Sequence, residues 1–211
     1  MTKINLSEFV KLGKTAVLVI DAQNDYCSSE GFFSKSIGFD VSPIQSVIPK
    51  LKSFLDNCRK KKLPIIFTKM TEDQDHVPEN LRKKMQTTRG GESFAKPGSW
   101  GHNFFEISPD PGELVIEKNQ YDSFTNPLLE KHLRENRIET LIVAGFTTNV
   151  CVDATVRSAF SKGFHIMLVK ELVATIKQNA HLHESTLATL GWNFAYLVED
   201  IEELLSNLVD I

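Results

Sequence analysis

Six short apolar runs alternate along the chain with segments of helical period. Thr15–Asp21 (TAVLVID) is continuously apolar until a closing acid, the pattern of a strand covered on both faces. Pro64–Lys69, Leu114–Glu117, Thr140–Gly145, His165–Lys170 and Phe194–Val198 supply five further strand-like segments. Between the first two, Ile44, Val47, Ile48, Leu51, Phe54, Leu55 and Cys58 fall on one helical face. Ser42-Pro43 precedes them and reads as an N-cap with proline at the first helical position. Asn126-Pro127 repeats that signal and opens a helix to Asn136. Further helices are predicted over Asn149–Lys162 and Asn179–Leu190, and Ile201, Leu204, Leu205 and Leu208 mark a closing amphipathic helix.

This alternation predicts an α/β fold: a three-layer α/β/α arrangement around a six-stranded, mostly parallel sheet with a Rossmann-like character. No repeat or interdomain linker interrupts it, so residues 1–211 are read as one domain. Met70–Gly112 shows no sustained period and carries Gly90-Gly91, Pro97-Gly98, Pro109 and Pro111-Gly112. A loop of that length in a compact domain is expected to be functional, as a lid or a substrate wall.

Charge and cysteine usage narrow the function classes. The formal charge is −3, and the longest basic stretch, Arg59–Lys62, sits at the polar end of a predicted helix. Nucleic acid as a partner would want a broader basic face. No apolar run approaches the roughly 18 residues of a membrane span, and Met1–Lys14 lacks the apolar centre of a signal peptide. Cys27, Cys58 and Cys151 are odd in number and lack CxxC spacing, which argues against a disulfide framework or a zinc knuckle. Reduced thiols in a cytoplasmic protein are expected.

Ligands of open α/β sheets collect beyond the carboxyl ends of the strands. Three chemically able residues fall there: Asp21 ending the first strand, Lys118 ending the third, and Cys151 in the segment Gly145–Cys151 that joins the fourth strand to its helix. With Asn149 as N-cap, the Cys151 sulfur would lie in the first helical turn. Partial positive charge there favours a thiolate, and backbone N–H groups can hold an oxyanion. An ammonium from Lys118 would lower the thiol pKa further, and Asp21 can accept the thiol proton or orient the lysine. Each residue also has an ordinary reading: a buried small hydrophobe for the cysteine, a turn residue for the acid, a solvent-facing lysine.

Three stretches carry a resemblance. VLVIDAQNDY (Val17–Tyr26), VIEKNQYDSF (Val115–Phe124) and VAGFTTNVCVDATVRSAF (Val143–Phe160) resemble the signature segments of the isochorismatase-like cysteine hydrolases, in order and spacing. The resemblance implies that Cys151 attacks a carbonyl carbon, Asp21 is general base and later proton donor, and Lys118 supports the thiolate. It also implies a cis peptide at Phe146–Thr147, an oxyanion hole from the Thr147 and Cys151 amides, and a homodimer or homotetramer. Nicotinamidases of this superfamily hold a metal with an Asp-x-His and a further histidine. The corresponding region, Thr68–His76, offers Asp73, Asp75 and His76 without a suitably spaced second histidine before His102, so no metal and no cofactor is expected. Pro97–Gly101 and Lys118–Phe124 look most like the ureidoacrylate, biuret and carbamoyl-amide branch, departing from it at Asp122 and Thr125-Asn126. The expected reaction is cleavage of a C–N bond in a small amide or ureido compound through a covalent intermediate.

The substrate-binding candidates are Gln23, Trp100, Tyr121, Phe124 and Phe146. Gln23 either hydrogen-bonds a ureido group or braces a loop; Tyr121 and Phe124 wall a pocket or pack; Trp100 closes over substrate or faces a partner subunit. Asn24 reads as structural, Cys27 as incidental, and His181 and His183 as surface or interface residues. The alternatives to a C–N hydrolase are a nicotinamidase-like amidase and a noncatalytic or thiol-sensing protein on the same fold.

Overall fold

The computed structural model describes residues 5–73, 75–89, 92 and 94–208. Gln74 and the Gly90-Gly91 turn of the sequence reading lie outside the described residues. Six strands form one sheet: β1 (Thr15–Ile20), β2 (Ile65–Met70), β3 (Leu114–Lys118), β4 (Thr140–Phe146), β5 (His165–Ala174) and β6 (Tyr196–Val198). Their order is β3-β2-β1-β4-β5-β6, and every neighbouring pair is parallel. The sheet is thus wholly parallel, as crossover helices on both faces require.

Alternate residues of each strand serve opposite layers. Val17 and Val19 of β1 join a core with helix α3 (Ser42–Lys60) and helix α8 (Ile201–Ser206). Ala16, Leu18 and Ile20 join a second core with α5 (Pro127–Glu135), α6 (Asp153–Ser161) and α7 (Ala180–Asn193). Both faces of β1 are sealed, which is why its sequence reads as a continuous apolar run rather than an alternating one.

Several boundaries differ from the sequence pattern for local reasons. Ser42 is not the cap of α3: Val41 takes that place, and Asp40 accepts the Ser42 N–H at 2.9 Å. Asn126 does cap α5, accepting the Leu128 N–H at 3.0 Å. Strand β5 runs four residues beyond Lys170, through an irregularity in its pairing with β4 between Val143 and Gly145. The segment expected to be loop contains a helix, α4 (Glu79–Arg89). Val77, Leu81 and Met85 bury one narrow stripe of this region at a spacing of four, too narrow among charged neighbours to register as a period. Two single-turn helices, α1 (Asn24–Cys27) and α2 (Phe32–Lys35), follow β1.

Candidate active site

The order of strands reverses at β1 and β4, which is where a crevice forms beyond the carboxyl ends of a doubly wound sheet. Asp21 follows β1 directly, with φ of 50°, a left-handed conformation that Asp tolerates better than most residues. The Gln23 N–H bonds back to the Asp21 carbonyl at 2.8 Å, so the chain turns sharply there. On the other side of the crevice, Gly145 of β4 has φ of 113°, and a Cβ on it would stand 2.1 Å from the Ile20 carbonyl oxygen. Only glycine lets β4 approach β1 this closely before the chain turns into the cysteine segment.

Asp21, Lys118 and Cys151 come together at this crevice. Lys118 Nζ donates to Asp21 Oδ2 at 2.7 Å and to the carbonyls of Gln120 at 3.1 Å and Tyr121 at 3.0 Å. Three acceptors match its three donors, and a buried ammonium demands such satisfaction. Thr68 of β2 donates its hydroxyl to Asp21 Oδ1 at 3.1 Å, so both carboxylate oxygens are engaged. The Cys151 sulfur is close enough to Asp21 and Lys118 for both charges to act on it. Exposure is 0% for Asp21, 1% for Lys118 and 5% for Cys151, so their charges act with little screening by water.

Burial opposes the Lys118 charge, but the Asp21 carboxylate and the Cys151 sulfur outweigh it and hold its pKa above the ordinary value. For Cys151 the dominant influence is also burial, which pushes the thiol pKa well up; Lys118 pulls it down and Asp21 pushes it up again. Burial thus opposes the thiolate expected from its place in a first helical turn. That turn differs from expectation too. Thr147 precedes a π-helical turn, Thr148–Val152, and α6 follows it. Asn149 is inside the turn, not its cap, and its Oδ1 is buried with no partner among the described residues. The peptide bond Phe146–Thr147 is cis.

The rim residues separate clearly. Gln23 is buried, and its amide is used up by the backbone: Nε2 donates to the carbonyls of Met70 at 2.9 Å and His102 at 3.1 Å, while Oε1 accepts from Met70 N–H at 2.8 Å. It braces the strand ends and leaves no donor for a ureido group. Phe124 packs in the core, its ring centroid 5.8 Å from that of Phe164, and Phe146 is likewise a core side chain. Tyr121 is half-buried with its carbonyl on Lys118, and Trp100 is 53% exposed.

Trp100 belongs to a segment strapped to the turn after Asp21. Asn24 Nδ2 donates to the Trp100 carbonyl at 2.7 Å, and the two oxygens of Asp25 accept from Phe32 N–H at 3.1 Å and Ala95 N–H at 2.7 Å. A Cβ on Gly101 would meet the Asp25 carboxylate at 2.1 Å, so a larger residue there would displace that carboxylate from its two N–H partners. His102, buried in the same segment, contacts Thr71 Oγ1 through Nε2 at 2.9 Å and Lys69 Nζ through Nδ1 at 3.3 Å. Among the described residues no three His, Cys, Asp or Glu side chains are grouped as metal ligands, and His76 pairs with Asp73 at 2.7 Å on the surface. A cavity of about 950 Å³ lies elsewhere, between α7 and the edge strand β6, and none of the three central residues lines it.

Sequence reasoning missed Thr68 and the carbonyls of Gln120 and Tyr121. The threonine in an otherwise apolar strand was a visible signal, but its pairing of Ile20 with Thr68 is a fact of register.

Comparison with known proteins places the chain in a family. A family model described as the isochorismatase domain matches residues 15–201. The ureidoacrylate amidohydrolase of Stutzerimonas stutzeri is 32% identical over 74% of this chain and 66% of its own length. That of Agrobacterium fabrum is 32% identical over 75% of each chain. The crystal structure of the nicotinamidase of Bacillus subtilis superposes with a TM-score of 0.74 at 25% identity, covering 88% of this chain and 99% of that one. With a family model spanning every strand and the wholly parallel sheet its relatives would require, this chain belongs to the isochorismatase family.

Proposed function

We propose that this protein is a cysteine-dependent amidohydrolase that cleaves a non-peptide C–N bond in a small amide or ureido compound. The observation that carries the reading is the convergence of a buried thiol, carboxylate and ammonium at the point where strand order reverses. The relatives named for ureidoacrylate hydrolysis support the amide or ureide class of substrate.

In this reading the Cys151 proton passes to Asp21 as the sulfur attacks the carbonyl carbon. A thiol whose pKa burial has raised needs that acceptor, since few thiolates exist in advance. The tetrahedral oxyanion is held by the N–H groups of Thr147 and Cys151, at the start of the helical segment. The C–N bond breaks, and ammonia or an amine leaves with the proton returned from Asp21. Water, deprotonated by the same carboxylate, attacks the thioester-type intermediate; the acid product departs and the sulfur recovers its proton. Lys118 holds Asp21 in place through the 2.7 Å ion pair and balances the charge on sulfur. No cofactor enters this cycle. A cytoplasmic homodimer or homotetramer belongs to the same reading.

A thiol sensor fits less well, because a sealed thiol with a raised pKa resists oxidation. The test is ammonia release from a panel of ureido acids, carbamoyl amides and nicotinamide. Turnover by the wild type and none by Cys151→Ala, with unchanged circular dichroism, is the expected result. Equal turnover by both would end the proposal.

A further inference from the structure

The sequence places His183 among surface residues, and the structure moves it. Its ring is half-buried, with Nδ1 2.9 Å from Thr148 Oγ1. Thr148 is fully buried in the π-helical turn, one residue after Thr147 and three before Cys151. His183 belongs to α7, which is separated from that turn by all of α6 and β5 in the chain.

The turn packs against β4, α6 and α7 through buried Thr148, Cys151 and Val152, and its backbone hydrogen bonds are local. Its backbone is closed by Val150 and Val152 N–H groups on the Thr147 carbonyl, at 3.1 and 3.2 Å. Thr147 as N-cap makes no side-chain capping bond, and Asn149 Oδ1 is buried without a partner. Among the described residues, the His183–Thr148 contact is the one side-chain hydrogen bond joining residues 147–152 to another helix. Rotation of this turn would swing the sulfur and the Thr147 and Cys151 amides together, because they share one short stretch of backbone. Oxyanion donors lose effect when displaced by a fraction of an ångström, so a tether on the turn acts on the reaction without touching substrate.

We infer that His183 is a positioning residue: through Thr148 it holds the Thr147–Cys151 turn in the orientation that aims the sulfur and the turn's N–H groups. This rests on Cys151 being the nucleophile, and it assigns α7 a part in a site otherwise built from the ends of β1 to β4. The imidazole is suited to the place because it is rigid and its Nδ1 reaches the buried hydroxyl at 2.9 Å. Asparagine, whose amide falls near the position of Nδ1, should substitute for it in part.

The experiment compares His183→Ala, His183→Asn, Thr148→Val, Thr148→Ser and the double variant His183→Ala/Thr148→Val. Loss of one buried hydrogen bond predicts that His183→Ala and Thr148→Val each lower kcat about three- to tenfold with KM nearly unchanged. The double variant should fall no further than either single one, since both remove the same contact. His183→Asn and Thr148→Ser should return most of the rate. The rate of Cys151 alkylation by iodoacetamide, measured on the same set, should change in parallel. Unchanged kcat in both single variants, losses that multiply in the double, or failure of both conservative variants to restore rate would overturn the inference. If His183→Ala does not fold, the Thr148→Val and Thr148→Ser pair decides, equal rates overturning it. If the wild type turns over no substrate of the panel, the proposed function fails by itself, and alkylation rates alone judge the tether: indifference to His183→Ala and Thr148→Val would remove it.

Discussion

Lys118 reaches across the width of β2 to put its Nζ 2.7 Å from Asp21 Oδ2, although β3 and β1 are not neighbours in the sheet. Neither side chain is more than 1% exposed, so each charge depends on the other for what water would otherwise supply. Lys118→Met should therefore cost about 3–5 kcal/mol of stability by stranding a buried carboxylate. Adding Asp21→Asn to it should recover part of that loss, since a neutral amide can be buried more cheaply. Urea unfolding of the three variants checks this; a Lys118→Met protein as stable as wild type would contradict it.

The state of the sulfur predicts its reactivity with pH. Burial raises the Cys151 pKa above its ordinary value of 9.0, with Lys118 opposing and Asp21 reinforcing. Alkylation of Cys151 by iodoacetamide should be slow at neutral pH and should reach half its maximal rate only above pH 9.0, where an ordinary thiol is half ionised. Mass spectrometry of the modified peptide follows it. A plateau near neutrality would mean a preformed thiolate and remove the need for Asp21 as the proton acceptor.

Gln23 separates bracing from binding. Replacing it with leucine leaves the Met70 N–H and two carbonyls without their partners, at a cost of about 1–3 kcal/mol. A residue that touches substrate would raise KM when changed conservatively. For Gln23→Leu the expected outcome is a lower melting temperature, with KM for the best panel substrate within about twofold of wild type. A large rise in KM at unchanged stability would return Gln23 to the pocket.

His102 couples the strapped segment to acid. Burial first, and the Lys69 ammonium second, lower its pKa below the ordinary 6.5, with Glu117 and Asp25 opposing. The unfolded chain takes up this proton near pH 6.5 while the native protein does not, so stability is full above that pH. It is lost as pH falls from there through the lower native pKa. His102→Gln should show a smaller decline in urea midpoint between pH 7 and pH 5 than wild type. An equal decline in both would assign acid sensitivity elsewhere.

How much of this was legible beforehand follows from the range of each interaction. Strand and helix identities are local: a doubly buried strand must be apolar along its length, as Thr15–Ile20 is, and an amphipathic helix must show its stripe, as Ile44 to Cys58 does. Helix α4 escaped because three contacts along a charged segment leave too faint a period. The three central residues were readable because strand-end positions are counted along the chain.

What the sequence alone determined, then, was the alternation of elements and the set of reactive side chains at strand ends, because both are consequences of near-neighbour order. Tertiary structure decided which strands adjoin, and with that the approach of Lys118 to Asp21, the withdrawal of Gln23 into bracing and the contact of His183 with Thr148. It also decided that burial works against ionisation of the sulfur: the pKa of a group depends on what surrounds it in space, and residues distant in the chain supply those surroundings.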